Sequence, residues 1–251
     1  MPGHSWPRCF LSAEPCPRRE WSVRGTIVNA AAILIGSGIG LAAGSRLPER
    51  FQRIITTSLG LATLLIGAQM ALKTENVLVV IASLVIGGIT GEWLDIEGAL
   101  ERVGDRLKSW ARSGSGTFVT GYVMASLVFC VGPMTIVGSI QEGMGGKPDL
   151  LYTKSLLDGA ASVAFASALG AGVSCAAVTV IVFQGALTLL GAKLAFLLRP
   201  EVLSELTAMG GLLILAIAFL LLDIKRLRVA NLLPALFVVV LLTMARFSFG
   251  W

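Results

Sequence analysis

The sequence has a single histidine, His4, and four cysteines. Cys9 and Cys16 precede the first apolar run; Cys130 and Cys175 lie inside later ones. No two of them form a CxxC pair or a metal-spaced cluster, so the pattern supports neither a disulfide framework nor a zinc site. With its only imidazole at position 4, the chain cannot build HExxH zinc chemistry or a Ser–His pair inside its apolar runs. It also lacks a phosphate loop, a dinucleotide fingerprint and a GxGD motif. No enzymatic activity, cofactor or resident metal is therefore expected. Charge is scarce as well. Charged residues make up 14% of the chain, against about 25% in a soluble domain.

What is present is hydrocarbon. Hydrophobic residues make up 55% of the sequence, gathered into runs of about 17–25 residues, the length that crosses a bilayer core of about 30 Å. The clearest run, GTIVNAAAILIGSGIGLAAG (25–44), carries no charge. The fold class expected is all-α, a polytopic transmembrane helix bundle of about seven or eight spans. Eight candidate helices are read at 26–44, 54–72, 76–92, 117–140, 155–171, 173–197, 205–222 and 230–248. The fifth is rich in Gly, Ala and Ser and carries Asp158; if it merges with the sixth or re-enters, the count is seven. Residues 25–248 then form a single transmembrane domain. Residues 1–24 hold four prolines, two acids and no apolar core, so they do not read as a signal peptide. They are expected to be disordered or an N-terminal extension from start-site choice, with Val23 as an alternative start.

The net charge of +5 comes from Lys and Arg at span ends, where they meet anionic headgroups; nucleic acid is not an expected partner. Arg46, Arg50 and Arg53 follow the first span. Arg102, Arg106, Lys108 and Arg112 follow the third, and Lys225, Arg226 and Arg228 follow the seventh. The positive-inside rule puts these segments in the cytoplasm. Within 95–112, Ile96, Leu100, Val103, Leu107 and Trp110 repeat at helical spacing among charged residues. This predicts an amphipathic interfacial helix; a short helix packed on other loops is the alternative.

Two further patterns concern architecture. Gly36, Gly40 and Gly44, and also Gly87 and Gly91, form small-residue faces for close helix contact. Pro48-Glu49 before a Leu/Gly-rich run and Pro200-Glu201 before another suggest that spans one to three repeat as six to eight. The offset of five spans makes the repeat inverted, a recurrent transporter plan; chance likeness between apolar segments is the alternative.

Polar groups inside apolar runs are the best pointers to function, because hydrocarbon makes them costly. Gly132-Pro133 interrupts the fourth span, and proline there predicts a kink or break near Val131. Ser126, Cys130 and Pro133 share a face. A broken helix would present free N–H groups suited to an anion; a packing kink is the alternative. Lys154, Asp158 and Ser162, four apart, form a polar stripe that can bind an ion, relay a proton or neutralise itself. Gln184, Asn29 and Gln69 are amides within spans, suited to interhelical hydrogen bonds. Glu142 is placed to cap the loop after span four or line its mouth, and Asn231 to cap span eight. The candidate substrate- or ion-binding residues are thus Asn29, Cys130, Pro133, Glu142, Lys154, Asp158, Ser162 and Gln184.

The stretches GTIVNAAAILIGSGIG (25–40), GEWLDIE (91–97), ASLVFCVGPMTIVGSIQEG (125–143), KSLLDGAASVAFASALGAGV (154–173), QG (184–185) and NLLPAL (231–236) together resemble one family. This is the YdfK/YqgA type of bacterial inner-membrane protein, a family defined by a domain of unknown function. The resemblance covers about Gly25 to Ala245. It implies a multi-pass protein of the bacterial inner (cytoplasmic) membrane and carries over no substrate or catalytic residue. Two functions stay open: a transporter or channel for an ion or small solute, and a non-transporting scaffold or regulatory component acting through helix–helix contacts. The expected partners are the lipid bilayer, a small ion or solute, and a second copy of the chain.

Overall fold

The computed structural model describes residues 23–45, 48–111, 116–225 and 227–249. The expectations for residues 1–22, including His4, Cys9 and Cys16, lie outside them. The described residues form ten α-helices: α1 (Arg24–Gly44), α2 (Glu49–Ala71), α3 (Val77–Leu94), α4 (Ile96–Trp110), α5 (Phe118–Val131), α6 (Pro133–Gly143), α7 (Asp149–Leu169), α8 (Gly172–Leu189), α9 (Pro200–Leu221) and α10 (Pro234–Phe249). The 3-10 turns Ala195–Leu198 and Val229–Leu232 precede α9 and α10.

Chemistry at the boundaries explains most departures from the expected spans. α9 and α10 begin on Pro200 and Pro234, since proline suits a first helical position, where its missing N–H costs nothing. α3 starts where the Asn76 side chain accepts the N–H groups of Leu78 and Val79. The fourth expected span is indeed broken. α5 stops at Val131, Gly132 is extended with ψ 143°, and α6 restarts at Pro133, bent by 59°. A residue before proline is driven out of the helical region, and Thr135 Oγ1 donates to the Phe129 carbonyl at 3.0 Å across the break.

By length and composition, six helices are fit to cross a membrane, and seven if α5 and α6 make one broken span. Packing decides that they do. Phe118 at the start of α5 meets Gly172 at the start of α8, and Gly143 at the end of α6 meets Thr188 near its end. The bent pair therefore traverses the same thickness as α8 and does not re-enter. α7 carries Asp149, Lys154 and Asp158 and is too polar to count on composition. It nevertheless lies parallel to α1, from Gly25 against Leu151 to Gly44 against Ser167. α7 thus runs the same length of the bundle as α1. α7 does not merge with α8. Gly170, at φ 84° and ψ −161°, reverses the chain in a conformation open essentially to glycine alone.

The small-residue faces make the closest contacts. Gly36, Gly40 and Gly44 sit against the carbonyl oxygens of Gly159, Val163 and Ser167, and Gly87 and Gly91 sit against Ala235 and Asn231. α2 packs antiparallel on α9, with Gly60 near Leu222 and Gly67 near Leu215. α3 packs antiparallel on α10, and α1 crosses α8. Helices five spans apart thus meet in opposed pairs. The parallel contact of α1 with α7 is matched by that of α8 with α5 and α6. This is the arrangement expected of an inverted repeat.

α4 lies across one end of the bundle. Ile96, Leu100 and Leu107 pack on the core, and Gly104 sits over Val119 and Tyr122. Val103 and Trp110, placed on the same apolar stripe by the sequence pattern, point outward instead. Trp110 and Trp93 are each 84% exposed at this end, the setting of an interfacial aromatic belt. Large apolar side chains such as Ile35, Leu65, Ile89, Leu156, Val182 and Phe237 are exposed around the bundle. In water they would form a continuous hydrophobic patch; against acyl chains they need no cover.

At the opposite end, the buried carboxylate of Glu205 accepts Thr74 Oγ1 at 2.6 Å and the N–H groups of Glu75 and Asn76 at 2.8 and 2.7 Å. It fastens the α2–α3 turn to α9. Glu205→Ala is expected to lower stability by roughly 3 kcal/mol by stripping three donors of a charged acceptor. Glu205→Gln, which keeps one oxygen, should cost less. Thermal unfolding of the purified variants in detergent checks the order.

Candidate functional site

Three helices turn polar side chains toward one another, and a fourth adds an aromatic ring. α7 contributes Lys154 and Asp158, one turn apart. Their side chains are only 6% and 11% exposed, and they form a direct ion pair. The neighbouring Leu156 and Leu157 face outward, so the helix is amphipathic with its charge inside. α1 contributes Asn29, wholly buried. Its Nδ2 donates to Asp158 Oδ2 at 3.0 Å and to Gln184 Oε1, from α8, at 3.1 Å. The Lys154 ammonium also stands over the Phe129 ring, 6.0 Å from its centroid, at the end of α5 next to the helix break. Cys130, the next residue of α5, is buried as well.

Charge at Asp158 fixes the orientation of both amides. A carboxylate only accepts hydrogen bonds, so Asn29 must offer its NH2, and Gln184 must in turn offer its oxygen. The other ends of the two amides, Asn29 Oδ1 and Gln184 Nε2, have no hydrogen-bond partner among the described residues, and both residues are 0% exposed. Thr26 Oγ1 and Ser37 Oγ on α1 and Ser139 Oγ on α6 are buried and unpartnered in the same sense. Most buried polar groups in proteins are satisfied, and an unpaired one calls for a specific reason.

Magnitudes bear on what such a site can hold. Taking an unpaired ion from water into a dry interior costs on the order of 20 kcal/mol in the idealised limit and still several after relaxation. A neutral amide or hydroxyl left unbonded costs roughly 2–7 kcal/mol, most of which a matching donor and acceptor return.

Of the sequence-predicted residues, Asn29, Lys154, Asp158 and Gln184 meet directly, with Cys130 alongside. Pro133 shapes the break. Ser162 lies on the same stripe, but its hydroxyl donates to the Asp158 carbonyl at 2.6 Å, so it serves its own helix. The Glu142 side chain reaches another helix. Buried at the end of α6, it accepts the N–H of Gly25 at 2.9 Å, placing an anion at the positive N-terminus of α1. Asn231 does not cap α10, whose first residue is a proline. Its Oδ1 accepts the Glu97 N–H at 2.7 Å and its Nδ2 donates to Glu92, which also binds Arg228. Glu97 accepts the Ala230 N–H at 2.7 Å. Partial burial pushes the Glu97 carboxyl above its ordinary value of 4.5, and the bond from Ala230 draws it part of the way back.

Sequence reasoning missed Thr26, Ser139 and Thr179. Thr179 accepts from Ser126 at 3.2 Å and bonds Tyr122 at 3.0 Å. Small hydroxyls in apolar runs give no local signal, because they are often satisfied by their own helix. Glu205 did give one, as an acid inside a span. Among the described residues, no group of three or more His, Cys, Asp or Glu side chains could hold a metal ion.

A family model described as Protein of unknown function (DUF554) matches residues 24–244. The chain belongs to the DUF554 family. Uncharacterized protein YqgA of Escherichia coli (strain K12) is 32% identical over 219 residues, 85% of this chain and 93% of that protein. Uncharacterized membrane protein YdfK of Bacillus subtilis (strain 168) is 28% identical over 230 residues, 90% of this chain and 98% of that protein. The resemblance read from the motifs therefore holds, and this DUF554 chain, like YdfK, is a membrane protein. No solved structure matches.

Proposed function

We propose that the protein is a transporter or channel for a small polar solute or ion in the bacterial inner membrane. Lys154, Asp158, Asn29 and Gln184 form its binding site, and the segments at the α4 end face the cytoplasm. The observation that carries the reading is the unpartnered Asn29 Oδ1 and Gln184 Nε2 beside a buried ion pair. A bundle that served only to hold helices together would gain stability by closing these valences. The broken α5–α6 span and the opposed helix pairs support the same reading, since discontinuous helices and inverted repeats are recurrent in transporters. No chemistry on a substrate is assigned to these residues.

The test is flux into vesicles reconstituted with the full chain. The double variant Lys154→Met/Asp158→Asn removes both charges together, so neither is left alone. It is expected to abolish flux while the protein still purifies as a single species. Absence of flux above empty vesicles across a broad panel of ions and solutes would sink the proposal. So would full flux through the double variant.

A further inference from the structure

The transport reading leaves the solute open, and the chemistry of the site narrows it. Lys154 and Asp158 neutralise each other, so an arriving ion meets no unpaired charge from this pair to replace its hydration. The free valences are of another kind: one acceptor, Asn29 Oδ1, and one donor, Gln184 Nε2, on amides joined at 3.1 Å. An apolar solute would leave both unsatisfied. Both side chains are wholly shielded, so a solute reaches them only when the surrounding helices part.

We infer that the site recognises a small uncharged solute that donates to Asn29 Oδ1 and accepts from Gln184 Nε2, of the carboxamide, urea or short polyol class. The inference rests on the transport reading. Asp158 takes part indirectly. By holding the Asn29 NH2, it keeps the Asn29 oxygen and, through Gln184, the glutamine NH2 turned to the solute; it is a positioning residue here. Thr26 and Ser139, with unpartnered hydroxyls on the neighbouring helices α1 and α6, suit a solute rich in hydrogen-bonding groups.

The full chain is reconstituted into phosphatidylethanolamine/phosphatidylglycerol vesicles. Swelling is followed by stopped-flow light scattering with urea, acetamide and glycerol as probes, and K+ and Cl− flux by a potential-sensitive dye. At least one neutral probe is expected to enter faster than into protein-free vesicles. Gln184→Met, close in volume and without the donor, should slow that entry by about tenfold, the worth of one good hydrogen bond. Gln184→Leu removes the donor with a second apolar side chain and should do the same, so the test survives if the Met variant fails to fold. Gly38→Ala, whose added methyl meets open space, should leave entry unchanged. Ion flux without entry of any neutral probe overturns the inference and leaves the transport reading standing. Unchanged neutral entry in both Gln184 variants overturns it likewise. No flux of any kind removes both.

Discussion

Gly36→Ala and Gly40→Ala are each expected to destabilise the protein by about 1–3 kcal/mol, whereas Gly38→Ala on the same helix should stabilise it by up to about 1 kcal/mol. The three positions differ only in what a methyl group would meet. At Gly44 an added Cβ would stand 2.6 Å from the Ser167 carbonyl oxygen; at Gly36 and Gly40 it would come closer still to the Gly159 and Val163 oxygens. These obstacles are backbone atoms of α7 and cannot rotate away, so α1 must back off and lose contact along its length. At Gly38 nothing lies within 4 Å, and alanine simply removes the backbone freedom that glycine contributes to the unfolded chain. Thermal unfolding in detergent, followed by circular dichroism, gives the order. Similar shifts at all three positions would show that α1 and α7 do not meet through these glycines. Loss of the seam would also draw Asn29 from Asp158, so flux should fall with stability in the first two variants and not in the third.

Lys154→Met is expected to cost about 3–5 kcal/mol, because it leaves the Asp158 carboxylate buried without its cation. Asp158→Asn leaves the ammonium without its carboxylate and should cost a similar amount. The double variant should recover most of the loss, because a buried ion pair replaced as a whole by neutral groups is often nearly neutral in stability. The double-mutant cycle measures the coupling directly. A cost under about 1 kcal/mol for Lys154→Met, with no coupling, would place the pair in water rather than in the protein interior.

Much of the architecture was legible without coordinates. Apolar run length located the candidate spans, since hydrophobicity summed over a helix is a local property. Gly132-Pro133 announced the break for an equally local reason: proline constrains the residue before it and removes a donor. The boundaries were less legible. Span six was drawn to 197, yet α8 ends at Leu189, because apolar composition continues through the turn and the 3-10 segment that follow. Periodicity put Val103 and Trp110 on one apolar stripe of α4 with Ile96, Leu100 and Leu107, of which only the last three pack on the core. A headgroup region accepts apolar and aromatic side chains as readily as a protein core does, so pattern alone could not separate the two.

The site was legible in its parts. Polar side chains in apolar runs singled out Asn29, Lys154, Asp158 and Gln184, and their cost in hydrocarbon required that they turn inward. Their meeting was not legible. Asn29 reaches Asp158 and Gln184 across 129 and 155 positions of sequence, and nothing local in three helices states which faces will touch. Glu142 was read by its loop, and the tertiary structure assigned it to the start of another helix.

The sequence by itself determined that this chain lives in a membrane, where it bends, and which side chains have to hide from lipid, because each follows from the free energy of a segment in water or in hydrocarbon. Only the tertiary structure decided that the charged seventh helix runs beside the first, and that two amides and an ion pair share one interior with valences to spare. Those outcomes depend on how closely glycine faces distant in the chain let two backbones approach, and no single segment encodes that distance.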